Sequence, residues 1–318
     1  MKLTLRILGV LLIAVLVFAV AGIIATWAPD RSVESLQARW APAPSQFVAV
    51  QGMQVHLRDE GPRDDPTPIV LLHGTAASLH TWDGWTAALV AQNRRVIRFD
   101  LPAFGLTGPH PQADYSIAAY ARFVVAVLDK LAVPQVVLGG NSLGGEISWA
   151  TAVAAPARVQ KLLLVDAGGY PFVAQSVPIG FQMARLPGLR WLMQQVLPRG
   201  VIEKSAKSVF GDPAKVTPEM VDRYYELTLR AGNRQALGQR FEQLVQAHGR
   251  DAGQIKTITQ PTLVIWGGQD RLIPPDNAAK FGQDIKGAKV VLFPALGHVP
   301  HEEDPRATVT EVISFLKP

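Results

Sequence analysis

Cysteine is absent from the 318-residue chain. That excludes disulfides, a thiol nucleophile and thiolate metal sites, and it leaves the redox compartment open. Charge is sparse, at 18% of residues, and the net charge of +5 is scattered rather than gathered into a basic face. Arg94-Arg95 is the one close basic pair beyond the N-terminal stretch, before an apolar run. A nucleic-acid partner therefore has no electrostatic footprint. Internal repeats and low-complexity tracts are also missing, so a solenoid or a disordered tail is not expected.

What the chain has in excess is apolar residues, 48% of the total, and part of that excess is local. No charge occurs between Ile7 and Trp27. Roughly 20 residues at about 1.5 Å rise reach about 30 Å, the thickness of a bilayer core. Lys2 and Arg6 precede the run, which leaves the N-terminus on the cytoplasmic side and the rest of the chain on the far side, periplasmic or extracellular in a bacterium. Residues 1–28 thus read as a membrane anchor. The alternative is a signal sequence cleaved near Ala19-Val20-Ala21, which would release a secreted protein; apolar character continues past that point through Ile23, Ile24 and Trp27. Residues 29–46, with Pro29, Pro42 and Pro44, read as a linker.

The remaining ~290 residues suit one large domain with an insertion. A hairpin is expected over 47–57. Short, wholly apolar strands are expected at 69–72, 95–99, 135–138 and 159–165, the pattern of a sheet covered on both faces. Helices with a 3.6-residue period alternate with them at 80–89, 115–131 and 143–155. After Gly168-Gly169 the rhythm changes. From 170 to 250 only helices are legible, at 181–186, 189–196, 218–229 and 235–246. Strands then return at 262–266 and 288–293, separated by a helix at 276–283 and followed by one at 306–316. The fold class is α/β: a doubly wound, mostly parallel sheet, with core segments 47–169 and 251–318 flanking a helical insertion, 170–250.

The chemistry gathers at the strand ends. Gly140-Asn141-Ser142-Leu143-Gly144 follows the apolar Val136-Val137-Leu138 and precedes a helix, a setting that throws the serine clear of the sheet. A serine alcohol needs a base in contact, and the base needs a third group to fix its tautomer. Asp270 follows the strand ending in Trp266, and His298 follows the strand ending in Phe293. The order Ser, Asp, His is one of the chain orders in which this triad occurs. Asp166, at the end of 159–165, is the alternative acid.

These motifs resemble those of the α/β-hydrolases with a helical cap. The matching pieces are His73-Gly74, Phe99-Asp100-Leu101-Pro102-Ala103-Phe104-Gly105, the Ser142 elbow, Trp266-Gly267-Gly268-Gln269-Asp270-Arg271, and Gly297-His298-Val299-Pro300. The resemblance spans residues ~47 to 318. It implies Ser142 as nucleophile, His298 as general base and then acid, Asp270 as its orienting residue, and the backbone amides of Thr75 and Leu143 as the oxyanion hole. It gives His73 a structural role tying the oxyanion loop, and Asp100 a role as acceptor of backbone amides. Glu303 and Asp304 are expected to anchor the His298 loop or cap the last helix, and His301 to be solvated.

A serine at the elbow excludes the alkyl-enzyme ester chemistry of haloalkane and epoxide hydrolases, which use aspartate there. An acyl-enzyme route to ester hydrolysis follows, with an apolar acyl or aryl substrate matched to the many apolar residues of 170–250, and with no metal and no cofactor. Trp266 beside Asp270, and Arg190 in the insertion, also resemble the carbon–carbon bond hydrolases of ring-fission dienones, where a cap arginine grips the substrate carboxylate. The glycine-rich stretch of that group after His-Gly is replaced here by Thr75-Ala76-Ala77-Ser78. A third reading, a receptor or scaffold on the same fold, is usually marked by a lost triad member, and none is lost.

Overall fold

The computed structural model describes residues 2–185, 194–246 and 252–317. Its centre is an eight-stranded sheet in the order β1-β2-β4-β3-β5-β6-β7-β8. The strands are β1 (Gln46–Val50), β2 (Met53–Glu60), β3 (Ile69–Leu72), β4 (Val96–Phe99), β5 (Val136–Asn141), β6 (Val159–Val165), β7 (Thr262–Gly267) and β8 (Lys289–Phe293). β1 and β2 form the expected hairpin, and β2 runs antiparallel to β4; every other neighbouring pair is parallel.

The uniform apolarity of the inner strands has a direct structural counterpart. β3, β4, β5 and β7 are buried at every position. Alternate side chains serve opposite faces, as strand geometry requires. Val70, Leu72, Leu138, Leu162 and Val264 join one core; Ile69, Leu71, Val137, Leu163 and Leu263 join the other. The first is covered by α4 (Ile117–Lys130), α5 (Leu143–Ala154) and α10 (Asp276–Asp284), through Tyr120, Phe123, Ile147 and Phe281. The second is covered by α3 (Asp83–Ala91) and α12 (Pro305–Leu316), through Trp85, Leu89, Val309 and Val312. α4 begins where Ser116 accepts the Ala119 amide, and α12 where Asp304 accepts the Ala307 amide, both N-caps of the usual kind.

Between β6 and β7 the described chain is helical: α6 (Ile179–Ala184), α7 (Arg199–Lys207), α8 (Pro218–Thr228) and α9 (Asn233–Gln246). α7 was not legible in sequence, because its apolar positions are few. The expected helix at 189–196 lies largely outside the described residues, and so does Arg190. N-terminally, α1 (Lys2–Ala25) is a single helix, with mean hydropathy of 3.2 over its apolar span. By length and composition it is a candidate membrane span.

The segment expected to be a linker is more ordered than its prolines suggest. Residues Val33–Trp40 form α2, capped by Ser32 and packed through Leu36 and Trp40 against Leu106 and Leu227. Trp40 Nε1 donates to Glu226 at 2.6 Å, and Arg39 reaches both Glu226 and Asp222 on α8. Just before α2, Trp27 makes an antiparallel bridge with Val196, and the Ala28 amide donates to the Gln195 carbonyl at 2.8 Å. Two buried residues in an eight-residue helix give too weak a periodicity to read, and the ion pairs that fix it depend on residues almost two hundred positions away.

Candidate active site

Because β3, β5, β6, β7 and β8 run parallel, their carboxyl ends lie on one side of the sheet, and the motif residues emerge there together. Ser142 links β5 to α5 with φ 55° and ψ −116°, outside the ordinary regions for a residue with a side chain. The turn closes only because its flanking residues are small. A Cβ at Gly140 would collide with the Gly144 backbone, and one at Gly144 with the Leu72 carbonyl. The Ser142 carbonyl accepts the amides of Glu146 and Gly168, each at 3.0 Å, and these bonds hold the strained residue in place. Leu143 occupies the first helical position, where a backbone N–H has no intrahelical acceptor. Gly74 lies against the elbow, so a Cβ there would sit 3.3 Å from the Ser142 Cβ. This brings Thr75 into the cavity that Ser142 and His298 also line.

His298 and Asp270 meet, the ring Nδ1 lying 2.7 Å from a carboxylate oxygen of Asp270. The other oxygen of Asp270 accepts the amides of Leu272 and Ile273 at 2.8 and 2.9 Å. Both side chains are nearly buried, at 5% and 0% exposure. The loops carrying them touch at Gly267, where a Cβ would strike the Gly297 carbonyl. The His298 backbone is held from two sides: its amide donates to Val209 at 2.7 Å, and its carbonyl accepts from Asn141 Nδ2 at 2.9 Å. Glu303 anchors the same loop by accepting the amides of Gly297, Gly211 and Asp212. It anchors the loop while Asp304 caps α12, so the two expected roles fall to different residues.

His73 ties the neighbouring loops through both ring nitrogens. The Leu101 amide donates to Nε2 at 2.9 Å, and Nδ1 bonds the Gly74 carbonyl at 2.8 Å. Burial pushes its pKa down, which keeps this neutral tautomer. Asp100 accepts the amides of Leu79 and Leu106 and pairs with His56 at 2.7 Å. Burial would raise its pKa, but His56, His73 and His80 together hold it well below the ordinary carboxylate range. His56 was not singled out in sequence. It sits in an ordinary-looking strand, and only the antiparallel β2–β4 pairing brings it to Asp100.

Two expectations change, Trp266 as a substrate contact and His301 as a solvated side chain. Trp266 is wholly buried, its indole N–H bonded to the Ile273 carbonyl at 3.0 Å and its ring beside Phe281, and it is not among the cavity-lining residues. Its position on β7 points it into the core, where it braces the loop carrying Asp270. His301 is buried at 1% exposure, not solvated; it stacks on Trp82 with ring centroids 4.0 Å apart and bonds the Thr81 hydroxyl at 2.9 Å. The short helix α11 (Pro300–Glu303) turns it inward against α3, a rotation that the loop sequence does not reveal. Burial, with His298 and Arg223 nearby, pushes its pKa well down.

The cavity holds about 1240 Å³ including its open mouth. Ser142, Thr75 and His298 form its floor, and the insertion supplies Phe181, Ile202, Val209 and Leu237. Arg234 also lines it, paired with Asp30 from the segment after α1 at 2.5 Å. Among the described residues, Asp166, Asp270 and His298 are the grouping with metal-ligand spacing, one ligand atom of each lying within 4.8 Å of the others. Both Asp270 oxygens and one of Asp166 are already engaged by amides and imidazole, so the set suits proton transfer better than cation binding.

Comparison with known proteins agrees with this architecture. Residues 67–305 match the alpha/beta hydrolase fold family. The chain is 27% identical to a 2-hydroxy-6-oxo-2,4-heptadienoate hydrolase of Pseudomonas putida F1, over 85% of this chain and 95% of that one. Among solved structures it is similar to a membrane phospholipase A described as a bacterial virulence factor (TM-score 0.74, 26% identity, 99% of this chain and 98% of that one). It is also similar to a putative lipase of Acinetobacter baumannii AYE (TM-score 0.75, 26% identity, 90% and 96%). With the sheet order, the strand-end motifs and the family match in agreement, the chain belongs to the α/β-hydrolase fold family.

Proposed function

We propose that the protein is a serine hydrolase that cleaves carboxylic esters bearing an apolar acyl or aryl group. The observation that carries this reading is the His298–Asp270 pair at 2.7 Å, with His298 lining the same apolar cavity as the strained Ser142 elbow. Ser142 Oγ attacks the ester carbonyl while His298 accepts its proton. The amides of Thr75 and Leu143 receive the oxyanion, the feature that contributes most to such catalysis. His298 then protonates the leaving alcohol, and water, deprotonated by the same imidazole, releases the acid from the acyl-serine. Asp270 keeps His298 in the tautomer with Nδ1–H, leaving Nε2 free for the hydroxyl proton. The route needs no metal or cofactor.

The inserted helices act as a cap over the cavity, and α1 as a membrane anchor with the catalytic domain on the non-cytoplasmic side. Support comes from the apolar length of α1, from its tie to the cap through Trp27–Val196, and from the likeness to a membrane phospholipase A over 99% of this chain. Lipid-like esters are then the favoured substrates. The mass of the mature protein extracted from membranes tests the anchor: residues 1–27 are retained in an anchored protein and missing from a secreted one.

A second reading, carbon–carbon bond hydrolysis of a dienone acid, is favoured by the 2-hydroxy-6-oxo-2,4-heptadienoate hydrolase relative. Arg190, the arginine expected to grip the carboxylate, lies outside the described residues, and Arg234 is the guanidinium among the described cavity residues. Two assays separate the readings. A fluorophosphonate probe should label the full-length protein in detergent and fail to label Ser142→Ala; equal labelling of both removes the serine-hydrolase proposal. Short- and long-chain p-nitrophenyl esters should turn over in preference to a 2-hydroxy-6-oxo-dienoate, and turnover of the dienoate alone reverses the choice.

A further inference from the structure

Asp166 is a buried titratable group beside the site that the acyl-transfer route leaves unused. It follows β6 with φ 43°, an unusual conformation for a residue with a side chain, and it is fully buried. One carboxyl oxygen accepts the Gly267 amide at 3.0 Å. The other, Oδ2, receives no N–H or hydroxyl donor. Facing Asp166 is the Asp270 carboxyl, and one ligand atom from each of Asp166, Asp270 and His298 falls within a 4.8 Å cluster. Two charged carboxylates so close in a buried site repel each other, and one proton between them relieves that repulsion. The donor inventory decides where it resides. Asp270 receives two backbone amides and the imidazole, all of which favour its charged form, whereas Asp166 receives one amide.

We infer that Asp166 is held as the neutral acid and donates its proton in a hydrogen bond to the Asp270 carboxylate, making Asp166 the positioning residue of the His298–Asp270 pair. This rests on the triad proposed above. Its orphaned oxygen thereby becomes a donor with an acceptor facing it. The charged neighbours agree. Burial is the main force raising the Asp166 pKa well above the ordinary range, followed by the Asp270 charge, with Glu303 adding to it and the Gly267 amide opposing. Glu303 in turn has Lys215 at 3.9 Å, and His298 lies on the far side of Asp270.

The bond has a functional consequence with a definite sign. A donor to Asp270 spreads its negative charge and weakens its hold on the imidazolium that forms during proton transfer. Removing that donor strengthens the hold and moves the acid limb of activity to higher pH.

The test uses full-length protein in detergent and two readouts, the rate of fluorophosphonate labelling and p-nitrophenyl butyrate hydrolysis, each followed against pH. Asp166→Asn keeps a donor and an acceptor; Asp166→Leu keeps neither. Loss of one charge-assisted hydrogen bond should slow Asp166→Leu by about tenfold and shift its acid limb upward, with KM little changed. Asp166→Asn should recover most of that rate and restore the limb. An Asn variant as slow as Leu, or a Leu variant whose limb does not move, overturns the inference. If Asp166→Leu fails to fold, Asp166→Asn decides alone: labelling within about threefold of wild type supports it, and a tenfold loss overturns it. Ser142→Ala is run alongside. Residual labelling there brings down the triad itself, whereas its loss together with indifferent Asp166 variants brings down only the role of Asp166.

Discussion

Among the described residues, two histidine–carboxylate pairs share the same separation in opposite settings. His298 and Asp270 lie 2.7 Å apart, and so do His56 and Asp100. The second pair even carries a serine, with Ser45 Oγ 2.9 Å from His56 Nε2. As a list of contacts, Ser45–His56–Asp100 would pass for a catalytic triad. The difference lies in the surroundings. His56 and Asp100 have no exposed side-chain surface, and Asp100 spends its oxygens on Leu79, Leu106 and His56. Ser45 is tied by Arg58 Nε at 2.9 Å and follows no strand-to-helix turn. His298, by contrast, lines an open apolar cavity together with a strained serine. A triad is defined by a substrate-sized space and an unsatisfied alcohol as much as by its hydrogen bonds.

The sharpest way to break this comparison is to make the same change in both pairs. Asp270→Asn reverses the tautomer preference of His298 and should reduce kcat by about 10⁴-fold with the fold intact, as esterase kinetics and a melting curve would show. Asp100→Asn should do the opposite: activity of the folded fraction stays close to wild type, while stability falls by about 2–4 kcal/mol in chemical denaturation. Equal losses of activity in the two variants would remove the distinction between the pairs. Ser45→Ala is the matching control and should label with fluorophosphonate as wild type does.

A smaller effect is expected at the cavity wall. Leu237 lies on α9 and lines the space above Ser142. Leu237→Phe shortens that space and should lower kcat/KM for long-chain relative to short-chain p-nitrophenyl esters by about tenfold, since a few methylenes in an apolar site are worth that much. An unchanged ratio would place the acyl group elsewhere.

The mildest test is one of pH. Burial keeps His80 neutral in the fold and pushes its pKa down to about 3. Below its ordinary value of about 6.5, the unfolded chain takes up a proton that the folded chain refuses, so stability falls as pH drops from there toward 3. Asp100, depressed below the carboxylate range, adds stability that is present above an unfolded pKa of about 4 and lost as pH falls further. His80→Gln should therefore flatten the fall of Tm between pH 6.5 and 4, and Asp100→Asn the fall below pH 4. Parallel Tm–pH curves for the variants and the wild type would assign acid sensitivity to other groups.

Much of the molecule was legible because its signals are local. The apolar runs that became β3, β4, β5 and β7 need no partner to be recognised, since only a strand covered on both faces has that composition. The Ser142 elbow is likewise a local matter of small residues around a tight turn. What was misread depends on rotation or distance. Trp266 and His301 differ from expectation by which way they face, and a short loop sequence does not fix that. α2 is held by ion pairs to α8, far along the chain.

The sequence by itself determined the alternation of strands and helices, the helical insertion, the apolar N-terminal run and the order Ser142, Asp270, His298, because each is written in adjacent residues and their period. Only the tertiary structure decided which aspartate the histidine meets, where Trp266 and His301 point, that Asp30 reaches Arg234 at the cavity wall, and that Asp166 lies against Asp270 with one oxygen unmatched. These depend on which strands become neighbours and how closely their loops approach, and such contacts join residues with no local signature of their meeting.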